Sequence, residues 1–343
     1  MKKKQPTIKD VAKLAGVAPI TVSRVIRDSG YISNNTRQRV EAAIEQLNYI
    51  PNTLSQSLRF QRTDTIALIV SDITNPFWTT VTRGVEDACS EHGLNVILCN
   101  TDEKQDKLEN YVNMLLQKQT DGFLLVPTSP NSQAVHTIMK KHIPLVVIDR
   151  ILSDVEVDMV RSDSEKGAFQ LTKYLLDLGH RHIGMLSGPQ AISTSEQRIA
   201  GYKRALKTCG VPVNEDYITF GGYTKEGGYK MAKYMMGNIQ PRPTALFAAN
   251  NFISVGILKA LYEMGISVPA EVSVVGFDDL PFDTIPEPFL TVITQMPYQL
   301  GWDAVNLLME QIEGGNKTGS REIVLPVELI IRQSCAPPAT LSR

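Results

Sequence analysis

Seven side chains capable of binding chemistry stand just behind short apolar runs. Asn75, Phe77 and Trp78 follow TIALIV, Asp149 and Arg150 follow LVVI, Asn250 follows ALFAA, and Asp278 follows VVGF. Carboxylates accept hydrogen bonds from sugar hydroxyls and guanidinium groups donate to hydroxyl oxygens, and such charge-assisted bonds are the stronger kind. Aromatic faces pack on the C–H faces of a pyranose. Singly these residues say little. A strand-end aspartate also serves as a turn or capping residue, and Phe77 or Trp78 also as plain core. His180 and His182, either side of Arg181, fall in a helix-to-strand connection and are read as structural, so no metal is expected.

What must position these residues is an alternation of strands and helices. From Thr65 onward, runs such as NVILC, GFLLV, IGML and EIVLPV alternate with amphipathic helical stretches. Gly93, Gly179, Gly210 and Gly265 supply helix stops. β-rich runs separated by helices predict parallel sheets. Eight runs over about 275 residues suit two doubly wound lobes better than one. Ligands of such sheets bind beyond the carboxyl ends of the strands, where the seven residues lie. Neither GxGxxG nor GxxxxGK[ST] occurs, so dinucleotide and P-loop chemistry lack support, and no cofactor is called for. The four cysteines are scattered without a CxxC pair, which argues for a reducing cytoplasm with neither disulfide frame nor zinc site. No run approaches a membrane span, and the basic MKKKQPTIKD start lacks the apolar stretch of a secretory signal.

The net charge of -1 hides an asymmetry: residues 1–62 hold 11 Lys/Arg against 4 Asp/Glu. A basic head on an acidic body points to a polyanionic partner. In the head, Thr7 can cap a helix with Asp10 three residues on, and Ile8, Val11, Leu14 and Ala15 share a face. Gly16 ends that helix. Pro19 inside LAGVAPITVSRVI would break a helix unless it stands in the first turn, so a second helix is expected to begin at Ala18 or Pro19. A third runs from Asn35 or Thr36 to Leu47, with Val40, Ile44 and Leu47 inward. Small Ala12, the Gly16 turn and the Val22 and Val25 plugs give helix-turn-helix spacing.

At these residues a resemblance emerges. TIKDVAKLAGVAPITVSRVI and TRQRVEAAIEQLNYIPN resemble the N-terminus of the LacI/GalR repressor family, and GHRHIGMLSG, RIAGYKRAL and EVSVVGFDD resemble its effector domain. The similarity runs to about Gln333. The resemblance implies an α/β fold: a three-helix head (1–51), a hinge (52–63), and a periplasmic-binding-protein-like body (64–338) of two doubly wound parallel-sheet lobes. Lobe 1 is expected at about 64–161 plus 293–322, lobe 2 at about 162–292 plus 323–338, and a tail at 339–343. It implies that Pro19, Ile20 and Arg24 face base edges. Arg24 can bond a guanine in bidentate fashion, whereas Pro19 and Ile20 either touch a thymine methyl or fill space. Thr21, Ser23, Thr36 and Arg37 would meet phosphates. Leu58 holds the position of the family's minor-groove wedge, while Ser55-Gln56 stands where Ala-Arg is usual.

In the body, the closest pattern is the ribose-binding type. Asn75, Phe77, Trp78, Asp149, Arg150, Arg198, Tyr223, Asn250, Asp278 and Gln295 fall at its sugar-contact positions. Trp78 and Tyr223 replace phenylalanines and Asn251 replaces a common aspartate. Arg150 and Arg198 balance Asp149 and Asp278, which favours a neutral polyhydroxylated ligand over a phosphorylated or carboxylated one. The implied protein is a cytoplasmic, sugar-responsive regulator, a homodimer or larger oligomer on a near-palindromic operator, with sugar-driven lobe closure altering DNA affinity. Two rivals are weaker. A transport solute receptor would carry a signal peptide and no basic head. A carbohydrate-active enzyme could use Asp149 and Asp278 as acid and base, but the arginines are expected to keep both ionised.

Overall fold

A computed structural model describes residues 6–26, 28–50, 62–279, 288–314 and 319–338. The chain divides into a head, residues 1–63, and a body, residues 64–343.

The head contains α1 (Ile8–Ala15), α2 (Pro19–Ile26) and α3 (Asn34–Leu47). The Asp10 carboxylate accepts from both the backbone N–H and the hydroxyl of Thr7, tying down the start of α1. Gly16 takes φ 64°, in the left-handed region a helix stop needs. Arg39, from α3, donates to the Ala15 and Gly16 carbonyls at that helix end, where a cation also meets the negative end of the dipole. Pro19 is the first residue of α2. The Ala18 carbonyl accepts from the N–H groups of Thr21 and Val22, so the missing proline N–H removes no bond. Val11, Ala12, Ala15, Val22, Val25, Val40 and Ala43 form the core. Leu14 does not join it. It is 46% exposed, because the contact with α3 is made through Val11, Ala12 and Ala15.

The body holds two six-stranded sheets. Sheet 1 comprises β1 (Thr65–Val70), β2 (Asn95–Asn100), β3 (Gly122–Leu125), β4 (Leu145–Ile148), β5 (Asp158–Ser162) and β11 (Glu322–Leu325), in the order β11-β5-β4-β3-β1-β2. Sheet 2 comprises β6 (Ile183–Ser187), β7 (Ile218–Phe220), β8 (Ala245–Ala248), β9 (Ser273–Phe277), β10 (Thr291–Thr294) and β12 (Glu328–Ile330), in the order β12-β10-β9-β8-β6-β7. All pairs are parallel except β10 with β12.

The helices that matter for the cleft are α4 (Pro76–Glu91), α5 (Gln105–Gln117), α6 (Gln133–Lys140), α7 (Ser164–Asp177), α8 (Ser193–Thr208), α9 (Lys225–Asn238), α10 (Asn251–Glu263) and α11 (Pro297–Ile312). Lobe 1 buries apolar side chains on both sheet faces, for instance Ile66, Val81 and Leu308 on one and Ile69, Leu115 and Ile138 on the other. Lobe 2 does so around Met185, Tyr202, Phe247 and Val275. The chain crosses between lobes after β5, after β10 and after β11. The second and third crossings lie later than the expected 292/293 and 322/323. Val292 and Ile293 hydrogen-bond within sheet 2, and Val324 and Leu325 pair with β5 in sheet 1. EIVLPV is therefore divided at Pro326, its first four residues forming β11 in sheet 1 and the chain beyond entering sheet 2 as β12.

Candidate functional site

In the head, α2 keeps an exposed face of mixed polarity. Pro19, Ile20 and Arg24 of α2 are exposed, with Thr21 and Ser23 half-buried beside them. Thr36 lies at the start of α3, where the Ser33 hydroxyl accepts from its N–H. Arg37 reaches Asp28 at 2.5 Å in a pair whose aspartate is largely exposed, so solvent screens it and it can be exchanged for another anion. Tyr31, between α2 and α3, is 96% exposed and was not singled out by the sequence pattern. Leu58 lies outside the described residues.

In the body, all ten sequence-derived ligand residues line one cavity of about 250 Å³ at the carboxyl ends of both sheets. They arrive from separate elements. Asn75 caps α4, its Oδ1 accepting from Phe77 N–H at 3.0 Å. Phe77 and Trp78 open the same helix and meet edge to face, with centroids 4.9 Å apart. Asn250 caps α10, its Oδ1 accepting from Ile253 N–H at 2.8 Å, which leaves its NH₂ as the donor on the cavity side. Asp149 follows β4 and Asp278 follows β9, with φ 69° and 68°. Non-glycine residues seldom adopt this conformation, and it concentrates at ligand sites. Each bonds the neighbouring strand through its own N–H, Asp149 to Val160 O and Asp278 to Ile293 O, so the two lobes present carboxylates in the same way.

The cations are oriented by the protein yet incompletely satisfied. Arg150 donates to both oxygens of Glu103 and to Pro127 O. Arg198 donates to Ala249 O and lies over the Phe277 ring at 3.8 Å. In both, the buried Nε has no protein partner, and neither has Gln295 Oε1, whose amide nitrogen donates to Asp278. Three buried polar atoms of cavity-lining residues, one from lobe 1 and two from lobe 2, are thus left without a protein partner. The Tyr223 hydroxyl is held by Ser195 and Thr194 at 2.7 and 3.0 Å, so the exchange from phenylalanine adds no unpaired group. Its ring occupies the space that a side chain at Gly188 would fill.

Burial raises the Asp278 carboxyl to about 6, against the pull of Arg198 and of the Gln295 hydrogen bond. Burial raises Asp149 as well, offset in part by Arg198 and Arg150. Desolvation is thus the largest influence on each carboxyl, and the arginines expected to keep both ionised work against it. Burial opposes the Arg150 charge, but Glu103 more than offsets this and raises it.

The balance of charge is corrected. Asp72, Asp102 and Glu103 join Asp149 and Asp278 on the lining, against Arg150 and Arg198 alone. Asp102 and Glu103 stand behind NVILC, so the strand-end rule applied to that run would have found them. Pro189, two residues behind β6, answers to the same rule, whereas Thr194, in the first turn of α8, carried no such signal. Among the described residues, no group of His, Cys, Asp and Glu is arranged to hold a metal, and no helix is long and apolar enough to cross a membrane.

Comparison with known proteins agrees with both halves of this architecture. Residues 7–52 match the family described as bacterial regulatory proteins, lacI family, and residues 63–333 match periplasmic binding proteins and sugar binding domain of LacI family. The chain is 35% identical over 308 residues to the ribose operon repressor of Escherichia coli (strain K12), covering 89% of this chain and 93% of that one. It is 34% identical over 329 residues to the HTH-type transcriptional repressor PurR of Photobacterium profundum, covering 96% and 98%. Among solved structures, the lac repressor dimer bound to operator and the anti-inducer ONPF superposes with a TM-score of 0.84 at 26% identity, covering 97% and 100%. A LacI family transcriptional regulator from Enterococcus faecium with bound ribose gives 0.71 at 31% identity, covering 80% and 100%. These relatives are regulators rather than enzymes, which removes the reading of Asp149 and Asp278 as a catalytic pair. The two matches cover the head and the body in turn, and the chain belongs to the lacI family of sugar-responsive transcriptional regulators.

Proposed function

We propose that this protein is a repressor that binds a near-palindromic operator as a homodimer in the cytoplasm, and that its effector is a neutral monosaccharide, ribose or another pentose. The observation that carries the effector reading is the make-up of the lining, in which charged donors and acceptors alternate with aromatic rings. Arg150, Arg198 and Asn250 supply donors, and the buried carboxylates of Asp149 and Asp278 supply acceptors. Phe77, Trp78 and Tyr223 supply apolar faces for the ring. An excess of acidic groups disfavours phosphate and carboxylate ligands. The cavity, slightly smaller than the usual ligand pocket, suits one sugar ring. The ribose operon repressor and the ribose-bound regulator among the relatives support the same class.

In the head, Arg24 reads a base, Pro19 and Ile20 pack against base edges, and Thr21, Ser23, Thr36 and Arg37 hold phosphates. Cleft closure on sugar is coupled to operator affinity. The test is to select the operator from a random DNA pool and measure its affinity with and without ribose. A shift with ribose is expected. An operator affinity that no pentose alters would break the effector reading.

Two further outcomes follow from this reading. Leu58→Ala is expected to reduce operator bending and affinity while leaving ribose affinity intact, since a wedge acts by unstacking a base step. Circular-permutation gel shifts showing equally bent DNA with both proteins would leave Leu58 a linker residue.

The second concerns pH. The ionised Asp278 carboxylate is the better acceptor for sugar hydroxyls, so affinity should fall as pH drops through about 6. The sign for stability is opposite. The folded-state pKa lies above the unfolded one, so the Asp278 contribution to stability is present at low pH and lost as pH rises through about 6. Calorimetric titration with ribose from pH 7.5 to 5 checks the first. Affinity that is flat or rising towards pH 5 would contradict it.

A further inference from the structure

Asn75 and Asn251 belong to opposite lobes and bond each other twice: Asn75 Nδ2 donates to Asn251 Oδ1 and Asn251 Nδ2 donates to Asn75 Oδ1, both at 2.9 Å. Each side chain is fixed on its own lobe before it meets the other. Asn75 Oδ1 accepts from Phe77 N–H, and Asn251 Oδ1 accepts from Phe252 N–H at 2.8 Å. Both residues are buried, at 7% and 1% exposure. We infer that this amide pair is a clasp across the cleft. Asn251 is a positioning residue that sets how far the cavity stands closed, and hence how tightly any effector is held, without touching the effector. The affinity part rests on the proposed sugar reading; the clasp itself does not.

Three features support it. Asn75 lines the cavity, and so do Phe77 and Trp78 on the first turn of its helix, whereas Asn251 does not. Fastening Asn75 to lobe 2 therefore brings the aromatic wall up against the Arg198, Asn250 and Asp278 side. The pair is also neutral and reciprocal. An aspartate at 251, common in resembling chains, would accept from Asn75 but could not donate back, leaving Asn75 Oδ1 facing a carboxylate. Finally, Ile151 N–H also reaches across the lobes to Ser193 Oγ at 2.8 Å, but by a single bond, so the amide pair is the stronger of these two links. Opening the cleft returns both amides to water. Each bond is then worth a net factor of about two to ten in the closed-to-open ratio, and the pair about five to a hundred. An effector that binds only the closed form loses that factor when the clasp is lost.

Trp78 gives a ligand-free readout. It is 6% exposed in the clasped cleft, and the chain has 2 tryptophans, so Trp302→Phe in the full-length protein, excited at a wavelength tyrosine does not absorb, leaves Trp78 as the sole emitter. Acrylamide quenching without sugar is expected to rise in Asn251→Asp and to rise further in Asn251→Ala. Ribose, arabinose and xylose should then weaken by one common factor between about five and a hundred for the alanine variant. Unchanged quenching in both variants overturns the clasp. Pentoses weakened by unequal factors also overturn it, since Asn251 would then be contacting sugar. If the protein binds no pentose, the effector reading fails and quenching alone still decides the clasp. If circular dichroism shows Asn251→Ala unfolded, Asn251→Asp, which keeps the acceptor for Phe252 N–H, decides.

Discussion

Asp278→Ala is expected to weaken ribose binding by more than tenfold. The carboxylate accepts from Gln295 and stands within the field of Arg198, so its removal strips the sugar of a charged acceptor and leaves neighbouring donors short of a partner. Loss of a charged hydrogen bond costs about 1.5–3 kcal/mol, or about 10- to 150-fold in affinity. The backbone at φ 68° adds strain for alanine, whereas asparagine tolerates this conformation. Asp278→Asn is therefore the cleaner variant. It should match or exceed wild-type stability at pH 7, because it removes a buried charge held at a raised pKa, and still lose ribose by at least about tenfold. Opposite signs for stability and affinity distinguish a ligand contact from a structural residue. An Asn variant that binds ribose like wild type would remove Asp278 from the site.

Arg24→Ala carries the second large effect. Arg24 is exposed on α2, as are Pro19 and Ile20. A bidentate arginine–guanine contact discriminates by about 1–3 kcal/mol, and in a dimer both half-sites lose it. Operator affinity should fall accordingly, and binding should become indifferent at one symmetric base pair. Arg37→Ala should behave differently, weakening all sequences alike and lowering the salt dependence by about one unit of slope. Competition between operator and single-base variants measures both. An Arg24 variant that keeps full discrimination at every base pair would move base reading elsewhere on the head.

Much of this was legible where a physical rule acts locally. Pro19 is tolerable only in a first turn, so the start of α2 could be placed from one residue. TIALIV, LVVI and VSVVGF are strands buried on both faces, and their length and branching show it. The residues behind them then line the cleft because the sheets are parallel. What could not be read depends on contacts distant in sequence. β5 reads DMVRS, with polar residues that look like loop. Asp158 is nonetheless buried, bonded by Gln311 and Arg321, and Arg161 pairs with Glu322. β7 is a three-residue edge strand with no pattern to detect. The division of the chain at Pro326 between two sheets is decided by which strands each half pairs with. Glu103 acts by fixing Arg150 from 47 residues away, and Asn251 by meeting Asn75 from 176 away, so neither role has a local signal.

The central claim, that the cleft holds a neutral sugar, is tested most directly by titrating ribose, ribose 5-phosphate and hypoxanthine separately into the wild-type protein in a calorimeter. The purine belongs in the panel as a planar heterocycle that the rings of Phe77, Trp78 and Tyr223 would also stack on. Saturable binding of ribose at one per chain is predicted, with the phosphate and the purine silent. Saturation by hypoxanthine or by the sugar phosphate, with ribose silent, would contradict it.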